Sequence, residues 1–342
     1  MPGPADTAPG PGVDSDIEES FPNHRIDIVP RAAGTLRPMP ARRYDILAVD
    51  LDGTLLGPTG RVSPANRAAI DAARADGLEV VICTGRGLVE SKDAIEAIDG
   101  RHPARGRAVA PVVCAGGAMV ADAITGATLH RWPMRLDLVS RLCDHFRELR
   151  RAPLLLKDRA AAGFDYLVIN SGPIEPPTQW WFSVMDVEVK FVDSLDDDEH
   201  PEHTVRVGFA ATAHIMHDLA AGVHATFGKE TTTQHFAAVS GDLKRGQYGV
   251  KDESVHLLEV LDPQVSKWTA IHRLGLEQGI PRERIAAIGD EVNDMAMIQG
   301  AALGIAMGNA IEPVKKAAHR IAKSNAEDGV AEAIGRILSG EW

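Results

Sequence analysis

The stretch YDILAVDLDGTLL, residues 44–56, decides the fold that we expect for this chain. Four apolar residues, 46–49, run directly into Asp50, and Asp52 and Gly53 follow. A short apolar run that ends in a turn residue predicts a buried strand. Ligands bind at the carboxyl ends of strands in open α/β sheets, so both carboxylates are expected at a binding edge. The alternative is a simple strand cap, because Asp-Leu-Asp-Gly is also an ordinary turn sequence.

Strands and helices then alternate along the chain. A helix is predicted after Ser63, which caps it, with Pro64 at its first position and Gly77 as its stop. Apolar strands are predicted at 79–83 and 110–114, separated by another helical segment. This alternation predicts an α/β fold with a doubly wound, parallel, Rossmann-like core sheet.

The composition changes twice along the chain. Residues 1–43 are rich in Pro, Gly, Ala and acidic residues without any period, which predicts a disordered tail, or a chain that truly starts at Met39. The core pattern covers 44–120 and resumes over 250–342. Between these parts, 121–249 has a strand and helix pattern of its own, which predicts a separate α/β module inserted into the core.

The bulk composition is that of an ordinary globular protein, with 44% hydrophobic and 25% charged residues. There are 36 Lys and Arg against 48 Asp and Glu, and the resulting net charge of −12 argues against a nucleic-acid partner. Three cysteines are too few for a disulfide framework, which favours a reducing cytoplasmic location. We predict neither a membrane span nor a secretory signal.

Polar residues stand at four predicted strand ends or helix starts. They are Asp50 with Asp52, Thr84 with Gly85, Lys267, and Asp290 with Asn293 and Asp294. Each taken alone has a plain structural explanation, as a turn, a solvated lysine or a helix cap. A parallel sheet would bring all of them to one edge, however, and so we predict a single site.

These residue types suit phosphoryl transfer through an aspartyl phosphate. A carboxylate attacks a phosphate dianion only if the charge repulsion is offset, so a divalent cation and a lysine are needed. Asp50 is the predicted nucleophile, and Asp52 the predicted general acid and base. Mg²⁺ is expected on Asp50, on Asp290 and on a backbone carbonyl near Asp52.

The remaining residues of the set are expected to hold the phosphoryl group. Thr84, the amide of Gly85, Lys267 and Asn293 would bind its oxygens. Asp294 would orient Lys267 or a metal-bound water without touching the phosphate itself.

In these motifs the chain resembles the haloacid dehalogenase-like hydrolases, and among them the Cof-like phosphatases with a large α/β cap. The resemblance is carried by DLDGTLL (50–56), CTGR (83–86), VSK (265–267), GDEVNDMAMI (289–298), GIAMGNAIEPVKKAA (304–318) and SNAEDGV (324–330). It implies the same roles for the residues above. An Asp at position 52 further implies a phosphomonoesterase or a phosphomutase. One departure is visible, because family members usually have Asn-Gly-Ala where this chain has Gly116-Gly117-Ala118.

The insert offers weaker signals. Trp180 and Trp181 are expected on a strand, pointing to opposite sides, with at least one in the core. His214 and His217 lie three apart on a predicted helix, and metal binding there is the less favoured interpretation. The acidic run 196–199 is predicted to be a solvated loop.

We therefore expect a Mg²⁺-dependent phosphatase acting on small phosphorylated metabolites. Sugar phosphates come first and flavin mononucleotide or pyridoxal phosphate next, an order that only the resemblance implies. A phosphosugar mutase and a non-catalytic binding protein of the same fold are the alternatives. A homodimer is left open. There is no GxxxxGK[ST] loop and no dinucleotide fingerprint, which disfavours a kinase or a dehydrogenase.

Overall fold

The computed structural model describes residues 42–103, 108–237 and 255–342, and the predicted tail lies outside them up to residue 41. In the described ranges the strands are β1 (Ile46–Val49), β2 (Glu79–Cys83), β3 (Pro111–Cys114), β4 (Met119–Asp122), β5 (Thr128–Arg131), β6 (Leu154–Lys157), β7 (Tyr166–Ile169), β8 (Val189–Val192), β9 (Thr204–Thr212), β10 (Thr232–Ala237), β11 (Val255–Leu261), β12 (Ile285–Gly289), β13 (Leu303–Ala306) and β14 (Arg320–Ile321).

The helices of the same ranges are α1 (Pro64–Asp76), α2 (Lys92–Ala97), α3 (Leu136–Glu148), α4 (Arg159–Ala162), α5 (Pro176–Val184), α6 (Ala213–Phe227), α7 (Lys267–Glu277), α8 (Met295–Gly300), α9 (Glu312–Ala317) and α10 (Gly329–Leu338). Helix α1 begins and ends as its sequence predicts. The Ser63 hydroxyl accepts a hydrogen bond from the Asn66 amide at 3.1 Å, and Gly77 ends the helix with φ of 89°. None of the helices described is long and apolar enough to cross a membrane.

The first sheet has the strand order β14-β13-β12-β1-β2-β3-β4-β5. Strands β14 to β3 in this order pair in parallel, whereas β4 and β5 add an antiparallel edge. Strand β1 lies in the middle and its four residues are completely buried, as expected for a strand covered on both faces. The prediction of a doubly wound parallel core is confirmed.

The second sheet has the order β10-β11-β9-β6-β7-β8 and is mostly antiparallel. Helices α3 and α6 cover one face, where residues such as Phe146 and Met216 form a core of their own. On the other face, Leu154, Tyr166 and Val168 belong to the hydrophobic cluster of the first sheet. The two sheets therefore share packed side chains.

The limits of the insert differ from those predicted. Strand β5, although it follows residue 121, pairs with β4 in the first sheet. Strand β11, although it follows residue 250, lies between β10 and β9 in the second sheet. The predicted span 121–249 is therefore displaced at both ends, because strand pairing, and not composition, decides which sheet a segment joins. Residues 238–249 of that span lie outside the described ranges.

Two further expectations for the insert are corrected. Trp180 and Trp181 lie on helix α5 rather than on a strand. In the run 196–199 the other three acids are exposed as expected, but Asp198 is buried and pairs with Lys157. The Lys157 ammonium also donates to Thr204 Oγ1 at 2.7 Å, and so a long-range partner decided the burial of that acid.

Candidate active site

The predicted polar residues meet at the carboxyl edge of the first sheet. Asp50 follows β1, Thr84 follows β2 and Asp290 follows β12, and these three strands are adjacent. Parallel strands end at the same edge, so local strand-to-turn signals become one cluster. Gly53 permits this convergence. It has φ of 79°, and a Cβ there would lie 2.2 Å from Asp290 Oδ2.

Lys267 stands at the first position of α7 and is completely buried. Its Nζ lies 2.6 Å from Asp50 Oδ1 and 2.6 Å from Asp294 Oδ1. The close approach of the β3 loop to this helix start requires Gly117, because a Cβ there would lie 2.1 Å from the Ser266 carbonyl oxygen. The lysine therefore links two carboxylates that are distant in sequence.

The loop after β12 supports this arrangement. Asp294 Oδ2 accepts hydrogen bonds from the amides of Asp290 at 2.8 Å and Glu291 at 3.0 Å. Thr54 Oγ1 donates to Asp290 Oδ1 at 2.7 Å. Asn293 lines the same cavity as Asp50 and Asp290. Asp294 therefore orients Lys267 and the β12 loop together.

The site has more buried negative charge than positive charge. Burial raises the pKa of Asp50 to about 8, with a further contribution from the Asp294 carboxylate. Burial and the Asp50 carboxylate raise the pKa of Asp290 as well. The pKa of Lys267 is raised in spite of its burial, since the carboxylates of Asp294 and Asp50 favour its charged form.

This surplus fits a divalent cation. Carboxylate oxygens of Asp50, Asp290 and Asp294 lie within 4.8 Å of one another, and hard oxygen ligands of this kind suit Mg²⁺. The predicted metal set named Asp50, Asp290 and a backbone carbonyl near Asp52, so Asp294 is an additional carboxylate in range. His214 and His217 belong to neither of the metal-capable groups found in the described ranges.

Asp52 lies apart from that cluster, with its carboxylate 42% exposed. Arg86 binds it with two bonds, from Nε at 2.8 Å and from Nη2 at 2.5 Å. The Arg86 amide also donates to Thr84 Oγ1 at 3.1 Å, which ties the arginine to the turn after β2. Asp52 is thus held by Arg86 and lies outside the group of carboxylates around Lys267.

Sequence reasoning missed several residues of the site. Arg86 was visible only as the last letter of CTGR, and Asn309, which donates to the Gly53 carbonyl at 2.8 Å, lies in the GIAMGNA segment without a role. Tyr166, Arg206 and Glu259 come from the second sheet and line the cavity. No local pattern could have found these three, because they reach the site only through the packing of the two sheets.

The β3 loop is where the chain departs from the family pattern. Gly116 has φ of 67°, and a Cβ there would lie 3.1 Å from Leu261 Cδ1 and 3.4 Å from Glu259 Oε2. Both of these neighbours come from β11 of the second sheet. The space that a side chain at 116 would need is therefore bordered by the second sheet.

Comparison with known proteins agrees with this geometry. The family profile described as haloacid dehalogenase-like hydrolase matches residues 47–334. Two Bacillus subtilis proteins are each 28% identical over 86% of this chain and 99% of their own length: the 5-amino-6-(5-phospho-D-ribitylamino)uracil phosphatase YwtE, over 314 aligned residues, and the phosphatase YwpJ, over 311.

A solved structure, the sugar phosphatase BT4131 of HAD subclass IIB, superposes with a TM-score of 0.67 at 19% identity, covering 86% of this chain and 99% of that one. At that identity the superposition shows the shared fold. Profile, relatives and fold agree, and the enzyme class follows from the named relatives. The chain is a phosphatase that belongs to the haloacid dehalogenase-like hydrolase family.

Proposed function

We propose that this phosphatase is Mg²⁺-dependent and hydrolyses small phosphorylated metabolites in two steps through a phosphorylated Asp50. The observation that carries the proposal is the buried Lys267 between Asp50 and Asp294, within a surplus of carboxylates. Asp50, Asp290 and Asp294 would hold the cation, with the carbonyl near Asp52. Bound there, Mg²⁺ would offset charge between the nucleophile and the phosphate.

In the first step an oxygen of Asp50 attacks phosphorus, and the bond between phosphorus and the ester oxygen breaks. Lys267 holds Asp50 Oδ1, so the other oxygen is the attacking one. Asp52 gives its proton to the departing oxygen. Thr84, the Gly85 amide, Lys267 and Asn293 bind the oxygens of the transferring group.

In the second step Asp52 takes a proton from water, whose oxygen attacks phosphorus. The bond between phosphorus and the Asp50 oxygen breaks, which releases inorganic phosphate and restores the free carboxylate. Asp52 lines the cavity but lies outside the carboxylate cluster, which supports this separate role, and its two bonds to Arg86 would have to open when it takes up a proton. We further propose that the second sheet is the cap, which excludes water and contacts the leaving group.

The test measures phosphate release from a panel of phosphorylated metabolites and acetyl phosphate, with Mg²⁺ and with excess chelator. Sugar phosphates are the first class to include, followed by flavin mononucleotide and pyridoxal phosphate. Asp50→Asn should abolish release, and Asp52→Asn should stall the second step and accumulate phosphoenzyme. The matched control is Asp71→Asn on the exposed face of α1. Full activity in chelator, or in both site variants, would contradict the proposal.

A further inference from the structure

A cavity of about 390 Å³ lies between the catalytic carboxylates and the second sheet. Asp50, Asp52 and Asn293 line its inner end, next to the phosphate-binding turn at Gly85. The remaining volume is bounded by the second sheet and by helix α5. Since the inner end is committed to the phosphoryl group, the rest of the cavity is the place for the leaving group.

The floor of this cavity changes polarity along a single strand. Val255, Leu257 and Glu259 alternate along β11 and therefore point to the same face of the sheet, about 7 Å apart from one to the next. Glu259 is the one at the phosphate end, because a Cβ on Gly85 would lie 2.8 Å from its Oε1. The floor is therefore charged beside the phosphate and apolar farther away.

Neighbouring strands repeat this gradient. Gly208 and Ala210 of β9 stand opposite Glu259 and Leu257 in register, and Phe236 of β10 pairs with Leu257 on the other side. The glycine and the alanine leave the middle of the floor without bulky side chains. A flat surface of aliphatic and aromatic groups results, with room above it.

Helix α5 forms the opposite wall of the cavity. Trp180, Trp181 and Phe182 line it, and Thr178 fixes the helix to the sheet through a hydrogen bond to the Ala210 carbonyl. The Trp181 indole N–H donates to Glu90 Oε1 at 2.6 Å, so its ring is held in place. Aromatic walls that face an apolar floor bind flat rings well, but offer little to a leaving group covered with hydroxyls.

Glu259 and Arg206 are the charged residues of the floor. Glu259 is 2% exposed, and Arg206 donates to its Oε1 and to the Gly85 carbonyl oxygen. Its Oε2 is buried and has no hydrogen-bond partner among the residues described. Burial raises the pKa of Glu259, while the Arg206 guanidinium counteracts that shift. An unpaired buried carboxylate oxygen is costly, and a donor on a bound molecule would remove the cost.

Gly116 keeps side-chain atoms of the β3 loop away from this oxygen. A Cβ at 116 would lie 3.4 Å from Glu259 Oε2 and 3.1 Å from Leu261 Cδ1, so a side chain there would crowd both residues. The glycine therefore leaves Oε2 without a partner from the β3 loop. The absence of a side chain at Gly116 and the missing partner of Glu259 Oε2 are therefore connected.

We propose, building on the function proposed above, that the substrate is the phosphate ester of a ring-bearing alcohol. An O–H or N–H group near the ester donates to Glu259 Oε2, and a flat, largely apolar ring lies between helix α5 and Leu257. Glu259 is then the residue that selects the leaving group. The charge of Glu259 disfavours a second anionic group on the substrate at this place.

The test compares three primary alkyl phosphates, whose ester oxygens are of the same kind. Pyridoxine 5′-phosphate has a ring with hydroxyl donors, benzyl phosphate has a ring without donors, and glucose 6-phosphate has donors without a flat ring. The expected order of kcat/KM is the order just given. At least about a tenfold difference should separate the first from the last, the discrimination that about 1.4 kcal/mol provides.

Two variants test which residues are responsible for the preference among these three esters. Leu257→Asn should lower the ratio of kcat/KM for benzyl phosphate over glucose 6-phosphate, because it makes the floor polar at nearly constant size. The matched control is Leu276→Asn on the exposed side of α7, which should leave that ratio unchanged. Glu259→Gln should lower the ratio for pyridoxine 5′-phosphate over benzyl phosphate, because the charged acceptor is lost.

Acetyl phosphate separates the two proposals, since its leaving group is too small to reach Leu257. Asp50-dependent hydrolysis of acetyl phosphate, with glucose 6-phosphate preferred over both ring esters, would overturn the ring-bearing substrate and leave the phosphatase mechanism standing. Ratios that do not change in Leu257→Asn and Glu259→Gln would overturn it too. No Asp50-dependent hydrolysis of any phosphate, acetyl phosphate included, would overturn the mechanism and this inference with it.

Discussion

Strand β1 has a buried aspartate at each end, and the two behave in opposite ways. Asp45 precedes the strand and binds Arg284 and Arg42, whose Nη2 and Nε lie 2.8 Å and 3.1 Å from its Oδ1. The pKa of Asp45 is lowered, since these arginines outweigh its burial. Asp50 follows the strand, and burial together with Asp294 raises its pKa to about 8.

The difference separates Asp45, which has arginine partners, from Asp50, the nucleophile that we propose. Both residues are 4% exposed, but Asp50 is enclosed by more protein than Asp45, so depth of burial is one difference between them. Asp45 has a full complement of positive partners, whereas Asp50 shares one lysine with Asp294. A carboxylate left short of counter-charge is one that a bound cation can complete.

Two lysines among the described residues have completely buried side chains, and they repeat the contrast. Lys157 in the second sheet has one carboxylate partner, Asp198, with Thr204 as a further acceptor. Burial lowers the pKa of Lys157, and Asp198 opposes that shift only in part. The pKa of Lys267 is raised, because two carboxylates outweigh its burial. The pair in the second sheet is neutral and complete by itself.

The largest expected effect is on the aspartate pair. Asp50→Asn should lower kcat by about 10⁴-fold or more, as loss of a nucleophile does, while Asp45→Asn should leave kcat of the folded enzyme unchanged. Metal-free Asp50→Asn should be no less stable than wild type, because the neutral side chain suits its site. Phosphate release and thermal unfolding check this. Equal losses of kcat in Asp50→Asn and Asp45→Asn would contradict the proposed difference between the two aspartates.

Variants of the two buried lysines should differ in which quantity they change, kcat or the free energy of unfolding. Lys267→Met should lower kcat by about 10²–10³-fold, since it removes a charge from the transferring phosphate. Lys157→Met should leave kcat unchanged but lower the free energy of unfolding by about 3–5 kcal/mol, because Asp198 stays buried without a partner. Urea unfolding and steady-state kinetics on both variants measure this. A loss of kcat in Lys157→Met would show that residues of the second sheet outside the cavity also contribute to kcat.

Substitution of the two adjacent glycines of the β3 loop compares the cost of a side chain against the first sheet's own elements with its cost against the second sheet. Gly117→Ala should destabilise by about 3 kcal/mol or more, because its Cβ would meet the Ser266 backbone at 2.1 Å. Gly116→Ala should cost only about 1–2 kcal/mol, the penalty of a left-handed backbone, because its neighbours are side chains of β11 that can shift. Urea unfolding tests the order, and a costlier Gly116→Ala would mean that the second sheet is rigidly held.

The smallest expected effect is the pH dependence of Asp45. Its folded pKa is lowered, so its stabilising contribution is complete above the unfolded pKa of about 3.9 and is lost as pH falls through the folded value. Asp45→Asn should therefore cost about 1 kcal/mol at pH 7 and progressively less below pH 4. Urea unfolding of both proteins across that range measures it, and a constant difference would contradict it.

The polar carboxyl edge of the first sheet was predictable because each of its parts is local. Asp50 and Asp290 each stand where an apolar strand ends, and Ser63, Pro64 and Gly77 mark the limits of α1 through their own conformational preferences. Once these strands are taken as parallel, their ends must meet. For that reason the acids, the lysine and the central sheet follow from the sequence alone.

Tertiary structure decided the rest, since the deciding partners lie far apart in sequence. The pairing of β11 with β9 and β10 brings Glu259 against Gly85, 174 positions away. Asp198 is buried by Lys157, and Trp181 is placed on a helix above the cavity. Sequence by itself determined which polar residues gather at the edge of the core. The surface that the leaving group meets depends on packing between sheets, to which no local preference corresponds.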